Sequence, residues 1–282
     1  MPYFSYNNAQ IYYEDIGAGD PIIAVAGLME NTAYWGLTGV AGRLAEHYRM
    51  ISMDKRGHGY TKTNAEPPGF DEKTVSADIM ALADHLGLDR FHVLTHSTGG
   101  FVMVRRAMED ASRFASLVLT NTGSFTSPVK GDPQVIDNFH EGFARWFEKY
   151  DWDEMFEWLR GKPGPFFKGI MESENPEEML SVAKAMAKRN DRFVLARFVR
   201  SFYKDPDPRV EGLRGIDCPV LVVYGDKDDL FIESSRLMAS EIPGAKCLEY
   251  KGVGHMTAIE APKRLAEDVM AFFQFLPGSG GP

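Results

Sequence analysis

The chain has only two cysteines in 282 residues, Cys218 and Cys247. That is too few for a disulfide framework or a cysteine-based zinc site, so reduced thiols on separate strands are expected. Positive charge is also short: 31 Lys and Arg stand against 40 Asp and Glu, a formal net charge of −9. Nucleic acid needs a basic face on its partner, so that class is excluded. No basic amphipathic stretch points to a membrane surface. No run reaches the roughly eighteen apolar residues of a spanning helix. The start, MPYFSYNNAQ, lacks a charged segment followed by an apolar run, so no signal peptide is read and a cytoplasmic location is expected. No internal repeat is found, and no ligand cluster for a metal or organic cofactor.

What is present is the alternation of short apolar runs with helical patterns. The runs are Pro21–Gly27, Arg49–Asp54, Phe91–Ser97, Ser116–Asn121, Pro219–Asp226 and Lys246–Tyr250. They are rich in Val, Ile and Leu without strict alternation, as parallel strands covered on both faces should be. Val75, Ile79, Leu82 and Leu86 share one helical face, with Gly87 as the stop. Pro262 opens a last helix that buries Leu265, Val269 and Phe272. Ahead of these, alternation around Asn7-Asn8 predicts an antiparallel hairpin at the sheet edge. The fold class is therefore α/β, with a mostly parallel central sheet flanked by helices. Residues 1–123 and 215–276 form its core. Residues 124–214 show helical, aromatic-rich stretches without a strand-like run and are read as an insertion. Residues 277–282 are read as a flexible tail.

The stretch FHVLTHSTGG, residues 91–100, ends a core strand on Ser97. A serine between strand and helix, with glycine two residues on, suits a nucleophile elbow, where the helix start offers free N–H groups to a developing negative charge. The same string also suits an ordinary N-cap. A serine nucleophile needs a histidine as base and a carboxylate to orient it, in the order Ser, acid, His for this architecture. Asp226, Asp228 and Asp229 follow the fifth run, and His255 sits on a Gly-rich turn after the sixth. All three groups then lie at the carboxyl edge of the sheet, where open α/β folds place their sites. The position after the fourth run holds Asn121 and Thr122 and offers no carboxylate. His47, His58, His85, His92 and His140 are read as surface or structural, and His96 as a packing residue that points away from the site.

With those residues in hand the chain resembles the α/β-hydrolase fold superfamily over essentially its full length. The resemblance is carried by DKRGHG (54–59), HSTGG (96–100), PVLVVYGDKDD (219–229), IPGA (242–245) and GVGHMTAIEAPKRL (252–265). It implies Ser97 as nucleophile, His255 as base and Asp228 as acid, with Asp229 second. It implies an oxyanion hole from the backbone N–H groups of Leu28 and Thr98, a structural role for Glu260 and Pro262, and a cap in residues 124–214. Two positions depart from the family pattern: Thr95 stands where glycine is usual, and Ala26 where histidine is usual.

The expected activity is hydrolysis of a carboxylic ester or lactone of a small, largely apolar substrate through an acyl-enzyme, with no metal and no cofactor. Tyr34, Trp35, Trp146, Trp158 and Met256 are the expected pocket residues. A small molecule is the expected partner, and the chain is a monomer or homodimer. A carbon–carbon hydrolase of aromatic ring-cleavage products stays open, with Arg192, Arg197 or Arg200 as its cap arginine. So do a hydrolase-fold ligand receptor, a lyase and a cofactor-free oxygenase.

Overall fold

The computed structural model describes residues 3–63, 69–124, 133–202 and 210–276, with residues 133–137 described by backbone alone. The expected tail lies outside these residues.

The chain opens with a hairpin, β1 (Tyr3–Tyr6) and β2 (Ala9–Ile16), turned by Asn7 and Asn8 at φ 42° and 61°. Asparagine is among the few side chains at ease in that left-handed region, and two such residues in succession match the twist of a tight hairpin. β3 (Pro21–Val25), the short helices α1 (Thr32–Gly36) and α2 (Val40–Ala45), and β4 (Arg49–Met53) follow. A two-residue strand, β5 (Lys62–Thr63), pairs with β2. Then come α3 (Glu72–His85), β6 (Phe91–His96), α4 (Thr98–Glu109) and β7 (Phe114–Thr120). Asp71 caps α3 through a 2.9 Å bond from Thr74 N, and Gly87 leaves it at φ 67°.

Between β7 and the next strand the described chain is helical: α5 (Pro133–Lys149), α6 (Trp152–Gly161), α7 (Gly164–Met171), α8 (Pro176–Ala187), α9 (Arg192–Phe202) and a 3₁₀ turn (Glu211–Gly215). β8 (Val220–Gly225), α10 (Ile232–Glu241), β9 (Lys246–Tyr250), α11 (Thr257–Glu260) and α12 (Pro262–Gln274) complete it. The order across the sheet is β1-β2-β4-β3-β6-β7-β8-β9, with β2 antiparallel to both neighbours and the pairs from β4 to β9 parallel.

Every residue of β6 and β8 is buried, which is why these strands show no regular apolar–polar alternation. The helices of the segment after β7 do not build a separate core. Phe147, Met155, Ile170 and Leu195 join one cluster with Leu94, Val118 and Val223 of the sheet. Cys218 lies two residues ahead of β8 rather than on it, because pairing with β7 starts at Val220. Its thiol is pushed up to about 12 by burial, while Cys247 on β9 is exposed, and both are free. Among the described residues no helix is long and apolar enough to cross a membrane, and no group of His, Cys, Asp and Glu could hold a metal ion.

Candidate active site

β6 runs into the turn at Ser97, whose φ of 48° and ψ of −118° are costly for a residue with a side chain. Hydrogen bonds at both ends of the residue hold it there. Ser97 N donates to Thr120 O at 3.1 Å, Gly100 N donates to Ser97 O at 2.9 Å, and the Thr122 hydroxyl donates to the same carbonyl at 2.7 Å. The glycines after it are a packing requirement. A Cβ on Gly99 would stand 2.3 Å from Val25 O, and one on Gly100 2.5 Å from the Thr122 side chain. Thr95 is accommodated in place of the usual glycine because its hydroxyl donates to Val118 O at 2.8 Å, which satisfies the one polar atom it buries.

The three carboxylates after β8 sort cleanly. Asp226 accepts from Gly252 N at 2.7 Å, and exposed Asp229 pairs with Lys168 at 2.7 Å. Asp228 is fully buried, and its Oδ2 lies 2.9 Å from Nδ1 of His255. Burial alone would push the Asp228 carboxyl up. The charge and hydrogen bond of His255, with the Asn121 amide, outweigh it and hold the group below its ordinary value. For His255 burial pushes down, but the Asp228 charge and bond win and the imidazole is raised. Phe231 stacks on the His255 ring at 5.2 Å and Phe166 meets it edge-on at 5.0 Å. Glu260 clamps the loop from behind, accepting from Gly254 N at 2.6 Å and Met256 N at 2.9 Å.

Asn121 is a partner that sequence reasoning missed. Its Nδ2 donates to Asp228 Oδ2 at 2.8 Å and to Gly254 O at 3.1 Å, and Thr257 donates to its amide oxygen. Lacking a carboxylate, it is no candidate for the acid. Its place at the carboxyl end of β7, next to the acid loop, was the available signal.

Leu28 lies in the loop after β3. Among the described residues neither its N–H nor that of Thr98 donates to a protein acceptor. The loop is held by Gly27 N–H donating to Glu30 Oε2, by Lys55 Nζ donating to Gly27 O, and by Asn190 Nδ2 donating to Met29 O at 2.7 Å.

Residues 20–262 match the family described as alpha/beta hydrolase fold. The chain belongs to that family. A non-heme haloperoxidase of Rhodococcus erythropolis is 25% identical over 97% of this chain and 100% of its own length. Lipase 3 of Moraxella sp. (strain TA144) is 27% identical over 93% of this chain and 80% of its own. The enol-lactonase from Burkholderia xenovorans LB400 superposes with a TM-score of 0.79 at 24% identity, covering 97% of this chain and all of the other.

Within this α/β-hydrolase, Ser97, His255, Met256 and Leu28 face one tight cavity of about 40 Å³, and no hydrogen bond joins Ser97 to His255. Phe139, Phe143, Phe166, Phe167 and Met29 line both this cavity and a neighbouring one of about 410 Å³, whose walls include Trp146 and Trp158. Tyr34 and Trp35 line neither, against expectation. α1 turns inward directly after the loop, so Trp35 is fully buried and Tyr34 spends its ring on His96 and accepts from Ala258 N at 3.2 Å. His140 and Glu30 do line the Ser97 cavity, although His140 was read as surface or structural. His140 follows Phe139 on α5, and helical spacing with Phe143 was the signal for it. His96 does not simply pack away from the site, since both its ring nitrogens have polar partners there.

The three arginines proposed for a cap role are engaged elsewhere or exposed. Arg192 donates to Phe147 O at 2.8 Å and to Tyr150 O, Arg200 pairs with Glu141 and Glu148, and Arg197 is exposed. None of them lines either cavity.

Proposed function

We propose that the protein is a serine hydrolase of carboxylic esters or lactones, acting through an acyl-enzyme under a cap formed by α5 to α9. The observation that carries this reading is the buried Asp228–His255 bond at the sheet edge where Ser97 opens α4, with His255 and Ser97 on one cavity. Ser97 Oγ attacks the carbonyl carbon while His255 Nε2 takes its proton, and Asp228 holds the Nδ1–H and stabilises the imidazolium. The carbonyl oxygen becomes an oxyanion held by the N–H groups of Leu28 and Thr98, which are free of protein acceptors. Collapse expels the alcohol, which takes the proton from His255. Water then adds to the acyl group with His255 again as base, releasing the acid and restoring Ser97.

The relative named as a lipase stands behind the hydrolase reading and favours an ester. The arginines' other engagements weigh against carbon–carbon hydrolysis. An aromatic cavity wall suits an apolar substrate. The narrow space at Ser97 suits the reacting carbonyl, with the acyl chain or ring reaching into the 410 Å³ cavity.

The test is a series of p-nitrophenyl esters from acetate to decanoate. Each methylene buried is worth about 0.8 kcal/mol, so kcat/KM is expected to rise about fifteenfold for every two methylenes until the cavity is filled. Inertness on every ester, or unchanged turnover in Ser97→Ala, would sink the proposal.

A further inference from the structure

His96 sits between the oxyanion loop and the base loop. Its Nε2 is 2.8 Å from the carbonyl oxygen of His255, and its Nδ1 is 2.7 Å from Oε2 of Glu30. A carbonyl oxygen only accepts, so Nε2 carries a hydrogen. A neutral imidazole with its hydrogen on Nε2 has a bare lone pair on Nδ1, and an ionised carboxylate has only lone pairs to meet it. Both side chains are at most 1% exposed, so no bulk water intervenes. The contact therefore contains one further proton. It rests either on Nδ1, as an imidazolium beside a carboxylate, or on Glu30, as a carboxylic acid donating to a neutral ring. In both forms the pair has no net charge.

We propose that Glu30 and His96 are a one-proton positioning pair that joins the oxyanion loop to the base loop. The proposal rests on the ester-hydrolysis reading for its kinetic consequences, not for the pair itself. At one end, Glu30 Oε2 also accepts from Gly27 N–H, next to the Leu28 donor. The fit is close: a Cβ on Gly27 would stand 2.7 Å from Glu30 Oε2 and 2.8 Å from the Ser97 Cβ. At the other end, His96 holds the backbone carbonyl of His255 itself. The shared proton also has an electrostatic role. A bare carboxylate this near Ser97 would oppose the negative charge that forms on the substrate oxygen, and a net-neutral pair does not.

The charged and titratable groups around the pair come from every neighbouring element. Tyr34 of α1 stacks on His96 at 4.7 Å. Lys55, after β4, reaches Gly27 O and is backed by Asp54. His255 and Glu260 belong to the base loop, Asp228 to the acid loop, and His140 of α5 faces Glu30 across the cavity.

Two measurements test this. In Ser97→Ala protein with labelled histidine, which needs no turnover, proton NMR should show a strongly deshielded proton that vanishes in both Glu30→Gln and His96→Gln. The corresponding signal of the Asp228–His255 contact should survive. In kinetics, Glu30→Gln should lower kcat about tenfold, less than the loss of an oxyanion donor outright, with KM little changed. A spectrum unaltered by Glu30→Gln and His96→Gln overturns the pair. So does wild-type kcat in Glu30→Gln. If the wild type hydrolyses no ester, the functional reading falls while the NMR result still decides the pair.

Discussion

Replacing His255 by alanine is expected to lower kcat for a good p-nitrophenyl ester by about a millionfold, with KM changed far less. A serine hydroxyl is a weak nucleophile until its proton is removed during attack, and the water that releases the acyl group needs the same base. His96 is not placed to substitute, because both its ring nitrogens are committed to Glu30 and the His255 carbonyl. In a unit of this kind, losing the base costs about as much as losing the whole unit, and the residual rate comes from the oxyanion donors and binding. Steady-state kinetics across several enzyme concentrations checks the result. A loss under about a hundredfold would remove His255 from the role of base.

The second large effect is that of Asp228→Asn, for which a drop in kcat of about ten-thousandfold is expected. The amide has nearly the shape of the acid, but it cannot stabilise an imidazolium, and it favours the wrong tautomer of His255. The pH profile gives an independent sign. His255 works as a base only when neutral, so activity appears as pH rises through its pKa. Asp228 raises that pKa above the ordinary 6.5, so the acid limb of kcat/KM should lie above 6.5. Asp228→Asn leaves burial as the main influence, which pushes His255 down, and the limb should move to lower pH. A limb unmoved by the substitution would mean that another group controls it.

The sheet was legible because its signals are local. Continuous apolar runs, Asn7-Asn8 and Gly87 each act within a few residues of where they stand, and the structure puts strands, hairpin and helix end there. The same holds for the turn at Ser97, since HSTGG contains both the strained residue and the glycines that its close packing requires. Long-range polar partners were not legible. Glu30 meets His96 across 66 residues, and Asn121 meets Asp228 across 107, and neither contact follows from a period or a motif. Tyr34 and Trp35 show a related limit: adjacency to the loop after β3 does not say which way a five-residue helix turns its side chains. Aromatic richness in the segment after β7 indicated an apolar surround, but not that Trp146 and Trp158 would stand at the outer cavity while Phe166 packs against His255.

The most direct measurement is intact-protein mass spectrometry of the enzyme quenched within the first turnovers of a p-nitrophenyl ester, followed by peptide mapping. The account predicts a fraction of the protein heavier by one acyl group, with the label on the peptide containing Ser97 and absent from Ser97→Ala. Multiple turnovers with no acyl group on Ser97, or with the label on another residue, would contradict it.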